Sequence, residues 1–136
     1  MKNLSEAKKM LAQGYTCVLV SDEDIITTDE RGVLPLVKWI DQGKAFGSYS
    51  AADKVVGKAA AFLYVILGVR AIWAGVMSKP AAQVLERYGI EYWYDTLTDA
   101  IINRKGDGFC PMETAVKEID TPEEALAVIK NKLNNI

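Results

Sequence analysis

The spacing of apolar residues along the chain predicts alternating helices and short strands. Helical spacing is present over residues 4–13 and again from Val33 to Gln42, and a glycine follows each segment. Between them, two short β-rich runs at 16–21 and 25–28 flank an acidic turn. The N-terminal part is therefore predicted to fold as a helix, a hairpin and a second helix.

The middle of the chain predicts a buried helix followed by a buried strand. Ser50 is expected to cap a helix that runs to Leu67 and is apolar nearly all the way round, as buried helices are. The continuous apolar character of Arg70–Met77 predicts a central parallel strand that is covered on both faces. Ser78 is expected to cap the helix that follows this strand.

The C-terminal part predicts one more strand and a final helix. Glu91–Asp95 is a short aromatic strand, and 97–102 is predicted to be helix or turn. A capping box at Thr121–Glu124 opens the last helix, predicted to run to Leu133. Since strand–helix–strand units of this length connect parallel strands, residues 1–136 are predicted to form one α/β domain. The expected architecture is a three-layer α/β/α sandwich whose mixed sheet includes the N-terminal hairpin.

Composition narrows the classes of function. The 136 residues are half apolar and one quarter charged, which is typical of a globular domain. Sixteen basic and eighteen acidic residues give a net charge of −2, which argues against duplex nucleic acid as a partner. The longest apolar run, Ala59–Val69, is too short to span a bilayer, and no leader is recognised. With two isolated cysteines as well, we expect a cytoplasmic protein without a disulfide framework.

The chain contains no histidine, and this excludes several kinds of chemistry. Ser-His-Asp triads, Cys-His pairs, histidine acid–base catalysis and most zinc sites all need this side chain. We therefore expect no zinc site, no metal-ligating residues and no cofactor, while magnesium held by carboxylates through the phosphates of a ligand stays open.

Three segments together resemble a small prokaryotic family of unknown function that has a cytidine-deaminase-like fold. They are 50–61, the strand and helix around Ser78, and Asn103-Arg-Lys-Gly-Asp-Gly-Phe-Cys-Pro-Met-Glu113. In zinc deaminases the site lies where two helix N-termini meet, one carrying H-x-E and the other P-C-x-x-C. Here the corresponding segments contain Ala52-Asp53-Lys54 and Pro80-Ala81-Ala82-Gln83, without a metal ligand set. The resemblance implies the scaffold and the place of the pocket, and it offers no residues for zinc-dependent deamination.

Residues of the predicted 50–67 helix suggest an anion site. Lys54 and Lys58 are four apart, so they would share one helix face, where like charges repel by about 0.2–0.5 kcal/mol. A phosphate bound at the helix N-terminus would relieve this cost; structural ion pairing or snorkelling would also explain the lysines. Asp53 is a candidate general base if a titratable partner exists, and otherwise a simple partner of the helix dipole. Ser50 and Ser78 are expected to line the same pocket.

The segment from Asn103 to Glu113 is the second candidate region. Asn103, Arg104 and Asp107 are expected to contact a ligand, because the two glycines at 106 and 108 let the backbone approach closely. Cys110 precedes a proline and is expected beside a helix N-terminus, where a thiolate is favoured, which makes it a candidate nucleophile. A structural loop holding an inert cysteine is the alternative.

Three classes of function follow from these residues. The first is a zinc-free, deaminase-like domain that binds a nucleotide-like or other phosphorylated small molecule. The second is a metal-free enzyme that uses Cys110 or a lysine as its nucleophile. The third is an interaction protein with a vestigial pocket. The aromatic run Tyr92-Trp93-Tyr94 is expected to pack on the sheet or to form an oligomer face, and a homodimer is predicted.

Overall fold

The computed structural model describes residues 2–102, 105, 106 and 108–134, and it shows a five-stranded sheet with helices on both faces. The predicted α/β class is confirmed. The elements in chain order are α1 (Lys2–Leu11), β1 (Cys17–Val20), β2 (Ile25–Thr28), α2 (Leu34–Asp41), β3 (Ser50–Val56), α3 (Lys58–Leu67), β4 (Ala71–Ser78), α4 (Lys79–Arg87), β5 (Glu91–Thr98), α5 (Pro111–Val116) and α6 (Pro122–Asn134).

The sheet is mixed, with the strand order β2-β1-β3-β4-β5. β1 is antiparallel to both β2 and β3, whereas β3, β4 and β5 are parallel to one another. The predicted hairpin is therefore present as β1 and β2, and the predicted central strand is β4. The parallel strands share a carboxyl edge, where α3 and α4 begin directly after β3 and β4.

The predicted helix over 50–67 is wrong in its first half, because Ser50–Val56 is the middle strand of the sheet. Alanine, lysine and aspartate are compatible with a helix locally, but pairing with β1 on one side and β4 on the other determines the conformation of this segment. The helix begins only after Gly57, whose extended backbone occupies the N-cap position of α3. Ser50 is consequently not a helix cap.

β3 is covered on both faces, which explains its small residues. Ala51 and Ala52 point to opposite faces and are both fully buried. Ala51 belongs to the main core under α3, while Ala52 belongs to a smaller core under α1. Because an alanine occupies little height above the sheet, helices can approach both faces of the central strand closely.

The C-terminal segment differs from the prediction in one element. β5 runs to Thr98 instead of ending at Asp95, so 97–102 does not form a helix. Beyond β5, Ile102 forms an isolated antiparallel bridge with Phe109. The predicted capping box is present, since the Glu124 N–H donates to Thr121 Oγ1 at 3.3 Å and α6 follows.

Across the described ranges, no helix combines the length and the apolar character that crossing a membrane would require.

Candidate functional site

The carboxyl edge of the parallel strands brings the starts of α3 and α4 together. Val56 and Met77 are paired neighbours in β3 and β4. The residues that follow them, Gly57 and Ser78, are the N-caps of α3 and α4. Two helix N-termini therefore lie side by side at this edge, which is where open α/β sheets usually bind ligands.

The N-terminus of α3 already holds an anion, and that anion is the side chain of Glu113. Its carboxylate accepts hydrogen bonds from the backbone N–H of Lys58 at 2.6 Å and of Ala59 at 2.9 Å. A Cβ on Gly57 would collide with this carboxylate, so a larger residue at this position would force Glu113 away from the two N–H groups. Burial raises the pKa of Glu113, while its bonds to the two backbone N–H groups act in the opposite direction. Glu113 thus closes the helix end from a distant part of the chain.

The N-terminus of α4 is also satisfied from within. Ser78 is almost fully buried, and its Oγ accepts a hydrogen bond from the Ala81 N–H at 3.2 Å. Beside it, exposed Lys79 forms an ion pair of 2.9 Å with exposed Asp99. The prediction that Ser78 caps a helix is confirmed, and its hydroxyl is engaged in that cap.

The two predicted anion-binding lysines do not share a helix face. Lys54 is an exposed residue of β3, and its backbone N–H donates to Thr16 O. Lys58 is the first residue of α3, and its Nζ donates to the carbonyl oxygen of Lys117 at 2.9 Å. The repulsion argued from helical spacing is therefore wrong, because the two residues belong to different elements.

Ser50 is separated from Ser78 by the length of the parallel strands. It is the first residue of β3, while Ser78 is the last residue of β4, so they lie at opposite edges. Ser50 lines a cleft of about 370 Å³ at the amino edge, together with charged residues of both signs that include Asp22 and Arg70. A second, more open concavity lies between α4 and β5. The expected convergence of Ser50 and Ser78 on one pocket is wrong.

Cys110 occupies the N-cap of α5, the place expected for it. Its side chain is half-buried and makes no capping hydrogen bond, and its carbonyl oxygen accepts from Thr114 instead. The predicted ligand residues Asn103, Arg104 and Asp107 lie outside the described residues.

Asp53 is the predicted site residue with the most developed surroundings. It is half-buried in β3, and its Oδ2 accepts a hydrogen bond of 2.7 Å from the hydroxyl of Tyr64 in α3. The sulfur of Cys17, in the neighbouring strand β1, lies 3.1 Å from that hydroxyl oxygen. The Tyr64 hydroxyl uses its one hydrogen to donate to Asp53. In the contact with Cys17 the hydroxyl oxygen therefore accepts, and the thiol donates. Three groups thus form a chain of hydrogen bonds that ends on a carboxyl group.

The titration of this chain is shifted by its burial. Desolvation raises the pKa of Asp53 from 3.8 to about 6, although the hydrogen bonds from Tyr64 and from backbone N–H groups favour its charged form. Burial likewise raises the pKa of Tyr64 and of Cys17, and the nearby negative charge of Asp53 adds to both effects. Tyr64 and Cys17 consequently remain neutral donors at physiological pH, and Asp53 is the member that exchanges a proton there.

Among the described residues, no lysine or arginine forms an ion pair with Asp53. The same part of the chain contains no group of three or more cysteine, aspartate or glutamate side chains arranged to hold a metal ion. The carboxyl of Asp53 is therefore supported by neutral donors alone.

Two important residues, Tyr64 and Glu113, were not identified in these roles from the sequence. After Lys58 at its start, α3 is apolar except for the hydroxyl of Tyr64, and this polar tip in a buried helix was an available signal. Glu113 lies 55 residues from Lys58 along the chain, so no local pattern connects them.

The fold and the site define a class of protein: a three-layer α/β domain with a five-stranded mixed sheet and a buried carboxyl–phenol–thiol cluster. Residues 6–133 match the family described as a domain of unknown function (DUF1893, TM1506), and the chain belongs to that family. Its structure is similar to the crystal structure of a DUF1893 family protein (TM1506) from Thermotoga maritima, with a TM-score of 0.88 and 30% identity. That similarity covers 97% of this chain and 91% of the other. None of the curated proteins matches the chain.

Proposed function

We propose that the chain is a zinc-independent domain that binds a nucleotide-like small molecule, and that the carboxyl of Asp53 receives a donor group of this ligand. The observation that carries the proposal is the half-buried carboxyl itself, which accepts hydrogen bonds from neutral donors and forms no ion pair within the described residues. Burying a carboxylate is costly unless a charge or a set of donors completes it. A ligand that donates hydrogen bonds to Asp53 would complete the set of donors around this carboxylate.

The free hydrogen-bonding capacity of Asp53 indicates the kind of group. Oδ2 accepts from Tyr64, and Oδ1 accepts from the Val55 N–H at 3.3 Å. The Lys54 N–H also favours the charged carboxyl, but it donates its hydrogen bond to Thr16 O, so each carboxylate oxygen retains a lone pair. Two adjacent N–H donors, such as the amino and ring N–H groups on the edge of a nucleobase, can bind both oxygens at once. This geometry supports the nucleotide-like ligand expected from the sequence.

The proposed recognition differs from the phosphate site expected at α3. The first two backbone N–H groups of that helix, those of Lys58 and Ala59, already donate to Glu113, so a phosphate bound to them would have to displace this carboxylate. The base edge is therefore the part of the ligand that we assign to Asp53. The strand order, with helices starting after β3 and β4, supports the further proposal that the scaffold is deaminase-like.

A metal-free enzyme is the second candidate, and one observation favours it. A carboxyl with a pKa of about 6 can take up and release protons near neutral pH, as a general acid or base must. Tyr64 and Cys17 hold that carboxyl in place and are positioning residues in this scheme. Asp53 is a stronger candidate for such chemistry than Cys110, whose side chain forms no comparable hydrogen-bonded cluster within the described part of the chain.

Calorimetric titration with cytosine and guanine bases, nucleosides and nucleotides tests the proposal. The wild-type protein should bind at least one of them, and Asp53→Asn should weaken that binding about tenfold or more, because a carboxylate oxygen is replaced by an N–H₂ group that repels the ligand's donors. The control is Asp29→Asn, which changes an exposed aspartate and should leave binding unchanged. Binding that Asp53→Asn does not weaken, or no binding by any of these compounds, would contradict the proposal.

A further inference from the structure

β5 is a long strand at the edge of the sheet. It comprises the eight residues Glu91–Thr98 and pairs with β4 on one side. Within the described residues nothing pairs with its other side, so a row of backbone N–H and C=O groups faces solvent. The opposite edge strand, β2, has only four residues. Long unprotected edges invite pairing with another strand, and proteins usually interrupt them with lysine, proline or a bulge.

The side chains of β5 do little to protect this edge. The strand contains neither proline nor lysine, and its charged residues are Glu91 at the start and Asp95 near the middle. Two of its large apolar residues are exposed in the single chain, Tyr94 by 42% and Leu97 by 37%. An unpaired edge that carries exposed aromatic and aliphatic side chains matches the interior of a larger sheet better than the surface of a monomer.

We propose that β5 pairs antiparallel with β5 of a second copy of this chain, so that the two sheets join into one. The two copies are related by a two-fold axis, as in most homodimers. In the proposed pairing this axis is perpendicular to the joined sheet. Such an axis keeps each residue on its own face of the sheet. Residues directly opposite each other in a sheet point to the same face, whereas consecutive residues of a strand point to opposite faces. The axis must therefore pass beside one residue, so that this residue of one copy lies opposite the same residue of the other copy.

Charge excludes two of the central positions for the axis. If the axis passed Asp95, the two Asp95 carboxylates would lie directly opposite each other. If it passed Trp93, Asp95 would lie opposite Glu91 of the second copy, again with two negative charges together. Like charges in directly opposed positions are destabilising.

The axis at Tyr94 avoids both conflicts and pairs the longest segment. Asp95 then lies opposite Trp93, Glu91 lies opposite Leu97, and all positions from Glu91 to Leu97 take part. An axis at Thr96 would pair only 94–98.

The aromatic side chains of β5 support the Tyr94 axis. The rings of Tyr92 and Tyr94 are stacked within one chain, with centroids 6.5 Å apart and an interplanar angle of 21°. With Tyr94 opposite itself, the stacked pairs of the two copies meet at the axis, and aromatic cross-strand pairs stabilise sheets. The proposed dimer is independent of the ligand proposed for Asp53.

Introducing a positive or a negative charge at position 94 tests this arrangement in solution. Sedimentation or light scattering should give the wild type a mass twice that of the 15.0-kDa chain. Tyr94→Lys and Tyr94→Glu should each be monomeric, because each places two like charges at the axis. An equal mixture of the two variants should restore the double mass, since opposite charges then face each other. The matched control is Tyr88→Lys, because Tyr88 is 40% exposed and lies outside the sheet at the end of α4; it should remain dimeric.

Several outcomes would overturn the proposal. If the wild-type protein were monomeric at about 100 μM, the proposal would be wrong, because the β5 edge would then stay unpaired in the folded chain. Persistence of the dimer in Tyr94→Lys would show that another surface is used. Failure of the mixture to dimerise, while each variant retains the wild-type circular dichroism spectrum, would show that Tyr94 does not face itself. Pairing of β5 with a different protein instead of a second copy would appear as a monomeric wild type and is likewise a refutation.

Discussion

Replacing Asp53 by asparagine should remove a pH dependence of stability that originates in one half-buried carboxyl. The pKa of Asp53 is about 6 in the folded chain and 3.8 for the ordinary side chain, so the folded state binds this proton more tightly than the unfolded state does. Folding is therefore favoured at low pH, and this stabilisation is lost as the pH rises from about 4 to about 6. A difference of about two pKa units corresponds to about 3 kcal/mol.

In Asp53→Asn the side chain at position 53 is neutral at every pH. The variant therefore does not lose stability through this side chain as the pH rises. Near pH 7.5 we expect Asp53→Asn to be more stable than the wild type by up to about 3 kcal/mol, which is roughly 10 °C in melting temperature for a domain of this size. Near pH 4 the two proteins should have nearly equal stability, since the wild-type carboxyl is then protonated as well. The carbonyl oxygen of the asparagine can still accept the hydrogen bond from Tyr64.

Urea unfolding followed by circular dichroism at several pH values measures this difference directly. The quantity to compare is the free energy of unfolding of the variant minus that of the wild type, because the titration of all other groups cancels in it. Asp29→Asn, at an exposed position, should give a difference that stays small throughout. The reasoning would be refuted if the Asp53→Asn difference were the same near pH 4 and pH 7.5, or if the variant were the less stable protein at the higher pH.

Three further changes test the contacts around the two helix starts. Gly57→Ala should cost more than 1 kcal/mol because its Cβ collides with the Glu113 carboxylate, and in urea unfolding it should cost distinctly less when Glu113→Ala is also present. Ser78→Ala removes the cap of α4 and should lower the free energy of unfolding by about 1 kcal/mol, a value checked against Ser5→Ala on the exposed face of α1. Tyr64→Phe removes a donor to the charged carboxyl, so the pKa of Asp53 followed by carbon NMR should rise; a lower value would contradict the assigned direction of the hydrogen bond.

Elements whose signals are local could be predicted from the sequence. The hairpin, the cap at Ser78 and the box at Thr121 each depend on residues a few positions apart. The strand Ser50–Val56 could not be predicted in this way, because its residues suit a helix and only its two neighbouring strands make it extended. This one error moved Lys54 onto a helix and so produced an anion site with two lysines on one face.

The candidate site could be predicted only in part. Asp53 was identified, but its role depended on a titratable partner that the sequence did not reveal. That partner, Tyr64, lies 11 residues further along the chain, and it reaches Asp53 because α3 runs back over β3 after the turn at Gly57. Cys17 joins them through the pairing of β1 with β3. The strand order and the path of α3 bring residues from three elements together. The spacing of these residues along the chain does not predict their contact.

The two half-buried carboxyls near α3 differ in a way that separates structure from function. Burial raises the pKa of both Asp53 and Glu113. Each oxygen of Glu113 accepts one backbone N–H of a helix N-terminus, and the missing side chain of Gly57 provides the space that the carboxylate fills. Such a group completes the fold and has little left to offer a ligand. Asp53 accepts from Tyr64 and from the backbone, and among the described residues no ion pair neutralises it, so the cost of its burial is only partly offset within the chain. A stability cost that the fold leaves in place is typical of residues kept for binding or catalysis, and for this reason we assign the ligand to Asp53.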